Sequence, residues 1–196
     1  MHAQSAEPAA NRSCHPVALP HMPPQLPLLP SGSDLGGKLG GLFAACARDV
    51  AAQLRGTLPD DDALLALLPE EQRAGSPDGY TRHLIHADPL ARFSAMLLVW
   101  RPGQASPVHG HRTWCAYRVL QGTLRERHYR WDADGRVARL TGSVVREAGD
   151  VFSVPAGLGH VHALGNDGPS VAISLHLYGV DAERIATGVN LLVDTA

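Results

Sequence analysis

Two histidines one residue apart, His109 and His111, precede an apolar segment running from Trp114 to Gln121. On an extended backbone alternate side chains share a face, so both imidazoles point into one space. Each neutral ring offers a nitrogen lone pair, and two so placed can hold one metal ion. A third nitrogen is available in Gly149-Asp-Val-Phe-Ser-Val-Pro155-Ala-Gly157-Leu-Gly-His160-Val-His162-Ala-Leu-Gly-Asn166. His160 and His162 fall on the same face of a strand, so alternation leaves both open as the third ligand. Neither Asp nor Glu lies between His111 and Gly122. A centre of three neutral histidines keeps the full charge of a divalent ion and leaves positions open, which suits an anionic, bidentate substrate. Imidazoles accept iron, copper, zinc or nickel, so the ligands do not name the metal.

These residues need a scaffold of short strands. From Tyr80 onward β-rich segments alternate with turn signals: 80–86, 92–100, 106–109, 114–121, 123–131, 136–146, 150–154, 160–165 and 170–178. Asp132-Ala-Asp-Gly135 and Asn166-Asp-Gly-Pro169 mark two of the turns. About eight or nine strands at regular spacing predict a sandwich or barrel. Before them, Ser33 or Asp34 can cap a helix over 34–55 with Leu39, Leu42, Phe43, Cys46, Val50 and Leu54 on one face. Asp60 to Asp62 open a second helix with Leu64, Leu65, Leu67 and Leu68 as its apolar side. Pro20, Pro23, Pro24, Pro27 and Pro30 forbid a regular helix in residues 1–32, which read as a disordered leader. Residues 33–196 read as one domain, with helices over about 34–75 and a barrel over about 80–180.

Composition narrows the function class. The 196 residues carry 17 basic and 19 acidic side chains, a net charge of −2, with no electrostatic footprint for nucleic acid or an anionic membrane. No apolar run of membrane-spanning length occurs, and the N-terminus has no signal-peptide pattern, so a cytoplasmic enzyme is expected. Three cysteines, Cys14, Cys46 and Cys115, do not make a secreted disulfide framework.

The spacing Gly103-x5-His109-x-His111-x3-Cys115-x6-Gly122 resembles the first signature of the cupin β-barrels, with Cys115 where most cupins carry glutamate. The segment from Gly149 to Asn166 resembles the second. Residues 80–178 resemble the thiol dioxygenases, above all the cysteine dioxygenases, in further blocks: Tyr80-Thr-Arg82, Phe93 to Gly103, Val119 to Glu126, and Ser174-Leu-His176-Leu-Tyr178. The resemblance implies a mostly β fold, a jelly-roll-like cupin barrel with a small N-terminal helical segment. It implies an Fe(II) centre held by His109, His111 and His162, the last because His162-Ala-Leu-Gly-Asn166 matches the family's pattern, with His160 left at the pocket rim. It implies a small-molecule thiol and O2 as reactants, a sulfinate product and a place in cysteine catabolism toward taurine. Arg82, beside Tyr80, would take the substrate carboxylate with a planar fork. Ser174, His176 and Tyr178, alternating on one face, would form a relay near the metal. Cys115 stands near the position of a cysteine that in animal relatives forms a thioether with the active-site tyrosine, here Tyr178; a small buried thiol is the alternative. Arg82 favours cysteine over 3-mercaptopropionate, whose dioxygenases carry Gln there. A broader thiol dioxygenase, and a non-catalytic metal-binding cupin sensor, remain as other readings. A monomer or weak homo-oligomer is expected.

Overall fold

The computed structural model describes residues 34–54 and 60–196, so the leader expected over 1–32 lies outside the described residues. Helix α1 spans Asp34–Leu54, and two short helices follow, α2 (Asp61–Leu65) and α3 (Glu70–Arg73). The Asp60 carboxylate accepts from the Ala63 N–H at 2.8 Å and so caps α2. The stripe α1 buries is Ala47, Ala51 and Leu54, at i, i+4 and i+7. Leu42 and Cys46, expected on the apolar face, are exposed, because small alanines bring the helix onto the sheet along a neighbouring row. The Leu39 and Phe43 side chains lie outside the described set.

Ten strands follow: β1 (Thr81–Ala87), β2 (Ser94–Trp100), β3 (His109–His111), β4 (Cys115–Gln121), β5 (Thr123–Asp132), β6 (Val137–Glu147), β7 (Val151–Val154), β8 (Gly157–Gly165), β9 (Ala172–Tyr178) and β10 (Asn190–Leu192). They form two five-stranded antiparallel sheets, β1-β2-β9-β4-β7 and β10-β3-β8-β5-β6. This is the facing-sheet arrangement of a cupin barrel. A 3-10 turn at Ala182–Arg184 runs into a four-residue helix, α4 (Ile185–Gly188), before β10.

Strand β2 is buried along its whole length because it faces two cores. Met96, Leu98 and Trp100 point between the sheets with Tyr117, Val119, Leu124, Leu164 and Tyr178. Ala95, Leu97 and Val99 point the other way, under Ala51 and Leu54 of α1 and Leu64 of α2, with Leu68 beside them. Strand β9 obeys the same alternation: Ile173 and Leu175 pack toward the helices, while Ala172 and Tyr178 face the inner core. The polar set Ser174, His176 and Tyr178 shares that inward parity.

Strand β10 gave no pattern in the sequence, since three residues are too few for alternation to register. It pairs with β3, Asn190 with His111 and Leu192 with His109, and so covers what would otherwise be a sheet edge. Two glycines set the geometry around the His-x-His segment. A side chain at Gly110 would put its Cβ 2.6 Å from the Gly157 carbonyl oxygen, so only glycine lets β3 and β8 approach there. Gly122 turns β4 into β5 with φ +70°, and a Cβ would meet the Ala172 backbone at 3.0 Å.

Candidate metal centre

Register carries the histidines together. His109 stands opposite His162 across the β3–β8 pair, and an irregularity between His109 and His111 sets His111 against Gly157. The three rings gather at centroid separations of 4.9, 4.8 and 5.2 Å, and all three side chains are buried. Burial, reinforced by the neighbouring His162, pushes the His109 ring down to about 4. Burial likewise holds His111 and His162 below the usual histidine range. All three are therefore neutral near pH 7.

The tautomers of His109 and His162 follow from what Nδ1 touches. His109 Nδ1–H donates to the Pro107 carbonyl at 2.8 Å, and His162 Nδ1–H donates to Glu126 Oε1 at 2.8 Å. Each then presents a bare Nε2 lone pair. The Nε2 atoms of His111 and His162 stand 3.0 Å apart. Two nitrogens about 2.1 Å from one ion and at right angles would stand roughly 3.0 Å apart. The donor set could thus hold a divalent transition metal, and the ligand atoms of His109, His111 and His162 form one of two such groups among the described residues.

Behind His162 sits Glu126, fully buried on β5. Its Oε2 accepts from Arg146 Nε (2.8 Å) and Nη2 (2.6 Å) and from the Tyr117 hydroxyl (3.0 Å). Burial opposes its ionisation, but the His160 and His162 rings and the Arg146 guanidinium hold it well below the carboxylate range. A fixed anion thereby orients the His162 ring and would strengthen it as a ligand to a bound metal. Sequence reading did not single out Glu126 for this. The available signal was its inward parity with Leu124, a charge on the apolar face of a strand. Tyr117 and Arg146, which complete the carboxylate's shell, carried no comparable signal.

The His160 ring meets the His162 ring edge to face at 5.4 Å, outside the group formed by His109, His111 and His162. Its Nε2 lies 3.6 Å from Glu126 Oε1, next to His128.

The cavity in front of the three histidines encloses about 400 Å³, counting its mouth, and is lined also by Tyr80, Arg82, Trp100, Cys115, His176 and Tyr178. Arg82 is exposed at the mouth, its guanidinium 5.7 Å from the Tyr80 ring, which in turn stacks on Trp100 at 4.2 Å. Within it a hydrogen-bonded chain runs along β9. Trp100 Nε1–H donates to Ser174 Oγ (3.0 Å), Ser174 Oγ meets His176 Nε2 (2.9 Å), and His176 Nδ1 meets the Tyr178 hydroxyl (3.2 Å). Ser174 Oγ, with one proton and two lone pairs, can donate to His176 Nε2 or accept from it, so the direction of the chain as far as the Tyr178 hydroxyl follows the His176 tautomer. Burial pushes His176 down to about 3 and Tyr178 well above its ordinary value, so both are neutral. Cys115 is the register partner of Tyr178, its Sγ 3.9 Å from His176 Nδ1, and burial raises its thiol pKa.

The family model described as "Cysteine dioxygenase type I" matches residues 74–186, more than half the chain. The chain belongs to the cysteine dioxygenase type I family. The match spans the three gathered histidines, Arg82 and the Ser174–His176–Tyr178 chain. Cysteine dioxygenase type 1 of Homo sapiens is 31% identical over 103 residues, covering 50% of this chain and 50% of that protein. The Bos taurus protein is 30% identical over the same length and share. The chain spans about half the length of the curated relatives it matches. Among solved structures, the TT1209 protein from Thermus thermophilus is 21% identical with a TM-score of 0.44, over 58% of this chain and 96% of that one. An oxalate oxidase bound to glycolate is 20% identical with a TM-score of 0.43, over 64% of this chain and 62% of that one.

Proposed function

We propose that the chain is a thiol dioxygenase that uses iron(II) held by His109, His111 and His162 to convert L-cysteine and O2 to cysteine sulfinate. The observation that carries this reading is one cavity that joins three converging neutral imidazoles, an arginine at its mouth and the Ser174–His176–Tyr178 hydrogen-bonded chain. The family membership supports it. Iron(II) bound there would supply a site for the thiolate and for dioxygen, whose two atoms both end on sulfur.

The chain's own residues do the rest. Arg82 takes the substrate carboxylate with two charge-assisted hydrogen bonds, its plane steadied by Tyr80 and Trp100. His176 hydrogen-bonds the Tyr178 hydroxyl and so fixes where the phenol stands in the cavity. Glu126 keeps His162 Nε2 unprotonated. Leu98 and Leu164 give the cavity lining its apolar part.

A second substrate, 3-mercaptopropionate, is favoured by one observation: among the described residues no Asp or Glu lines the cavity, so an ammonium group would find no ion pair there. Oxygen uptake after iron(II) loading, with L-cysteine, 3-mercaptopropionate and cysteamine in parallel, separates the readings. Uptake with L-cysteine above the other two is expected. Preference for 3-mercaptopropionate transfers the assignment to that substrate, and no uptake with any thiol overturns the enzyme reading in favour of a metal-binding sensor. Arg82→Gln should raise KM for cysteine roughly 10–100-fold, the weight of a lost charge-assisted pair, and change cysteamine little. Equal effects on both thiols would remove Arg82 as the anchor.

A further inference from the structure

On the side of Glu126 away from the cavity stand two histidines that the reaction does not use. His128 projects from β5, level with Glu126, and His160 from β8, one step along from His162. Their rings meet edge to face at 5.4 Å. His128 Nε2 lies 3.3 Å from Glu126 Oε2, and His160 Nε2 lies 3.6 Å from Oε1. Both ring nitrogens are buried, yet neither has a hydrogen-bond partner. An orphaned buried nitrogen is costly, and two facing one carboxylate are unusual.

A shared cation bound through the lone pairs would satisfy both nitrogens. Arg146 and Tyr117 occupy Oε2, whereas Oε1 accepts only from His162 and keeps a second lone pair. Tetrahedral ligands about 2.0–2.1 Å from zinc stand roughly 3.3–3.4 Å apart, close to the 3.6 Å between His160 Nε2 and Glu126 Oε1. The three ligand atoms all lie within 4.8 Å of one another. The His128 and His160 side chains are 35% and 24% exposed, which gives an ion access from outside the barrel.

We propose that Glu126, His128 and His160 form a second metal site, outside the substrate cavity, for a divalent transition cation of the zinc class. Two imidazoles and one carboxylate oxygen match that class, with solvent completing the shell. The site shares Glu126 with His162, so the two centres are joined through one carboxylate.

Zinc stoichiometry of the full chain, measured by elemental analysis after equilibration at buffered free Zn2+, tests it. Two equivalents are expected for the parent protein. His128→Leu and His160→Leu should each bind one, which also reports that the variant is folded. His109→Ala/His111→Ala should likewise keep one, and adding His160→Leu to that background should remove it. A single equivalent in the parent, or two in the leucine variants, overturns the site. Loss of all zinc in His160→Leu would instead make His160 a ligand of the inner centre and overturn the assignment. These readouts need no activity, so they stand apart from the dioxygenase reading.

Discussion

Replacing Glu126 with Gln removes one charge and almost no volume, and the geometry predicts that neither orientation of the amide can satisfy its surroundings. If the amide oxygen takes the Oε2 position, it still accepts from Arg146 and Tyr117, but the NH2 then faces the His162 Nδ1–H, donor against donor. His162 can escape only by moving its proton to Nε2, which points a hydrogen into the centre and removes a ligand. If the oxygen faces His162 instead, the NH2 meets the Arg146 guanidinium and the Tyr117 hydroxyl. Arg146, with a side chain only 17% exposed, is left without its anion in either case. Breaking a buried pair from one side costs about 3–5 kcal/mol, and disturbing the partner of a metal-bound histidine weakens metal binding roughly 10–100-fold. Urea unfolding of the apoprotein reads the first quantity, and competition with a chelator reads the second. Adding Arg146→Met should recover part of both, because without the guanidinium the amide can turn its oxygen to the His162 Nδ1–H and its NH2 to the Tyr117 hydroxyl oxygen. Stability within about 1 kcal/mol of the parent, with metal affinity within about twofold, would refute the idea that this carboxylate orients the centre.

Other perturbations follow from the same structure. The apoprotein should lose stability as pH falls from 6.5 toward 4: unfolded histidines take up protons in that window, while His109, held down to about 4, does not. His109 alone contributes on the order of 3 kcal/mol across that range, and Glu126, whose folded-state value is depressed, adds its own loss only as the pH falls further. A denaturation midpoint that stays flat between pH 7 and 5 would contradict this. Gly110→Ala should abolish tight metal binding, since its Cβ would sit 2.6 Å from the Gly157 carbonyl oxygen and force β3 away from β8; the strain costs about 1–3 kcal/mol, and a fully metal-loaded variant would count against it. A thioether between Cys115 and Tyr178, the partners opposed across β4 and β9, would leave the intact mass short by two hydrogens after aerobic turnover. An unchanged mass, with Cys115 freely alkylated after denaturation, would exclude the link.

Much of the inner face was legible because a strand has period two. His109 and His111, Ser174 with His176 and Tyr178, and Tyr80 with Arg82 each sit two residues apart, so local geometry alone assigns each set to one face. The β-rich segments between turn signals also announced strands in both sheets, though not β10. Parity says nothing about which strand lies alongside, or at what register, and those relations decided the rest. His160 and His162 have the same parity; the pairing of β8 with β3 on one side and β5 on the other takes His162 to the two histidines and leaves His160 beside Glu126 and His128. Glu126 is one acidic residue among many in the sequence, and only the closure of β5 against β8 and β6 surrounds it with His162, Arg146 and Tyr117. Strand β10 exists because β3 offers it an edge. The sequence by itself determined the chemical types and the faces they occupy, through short-range backbone geometry. The tertiary structure alone determined which of those groups meet, because lateral strand order and register are set by long-range packing of the whole barrel.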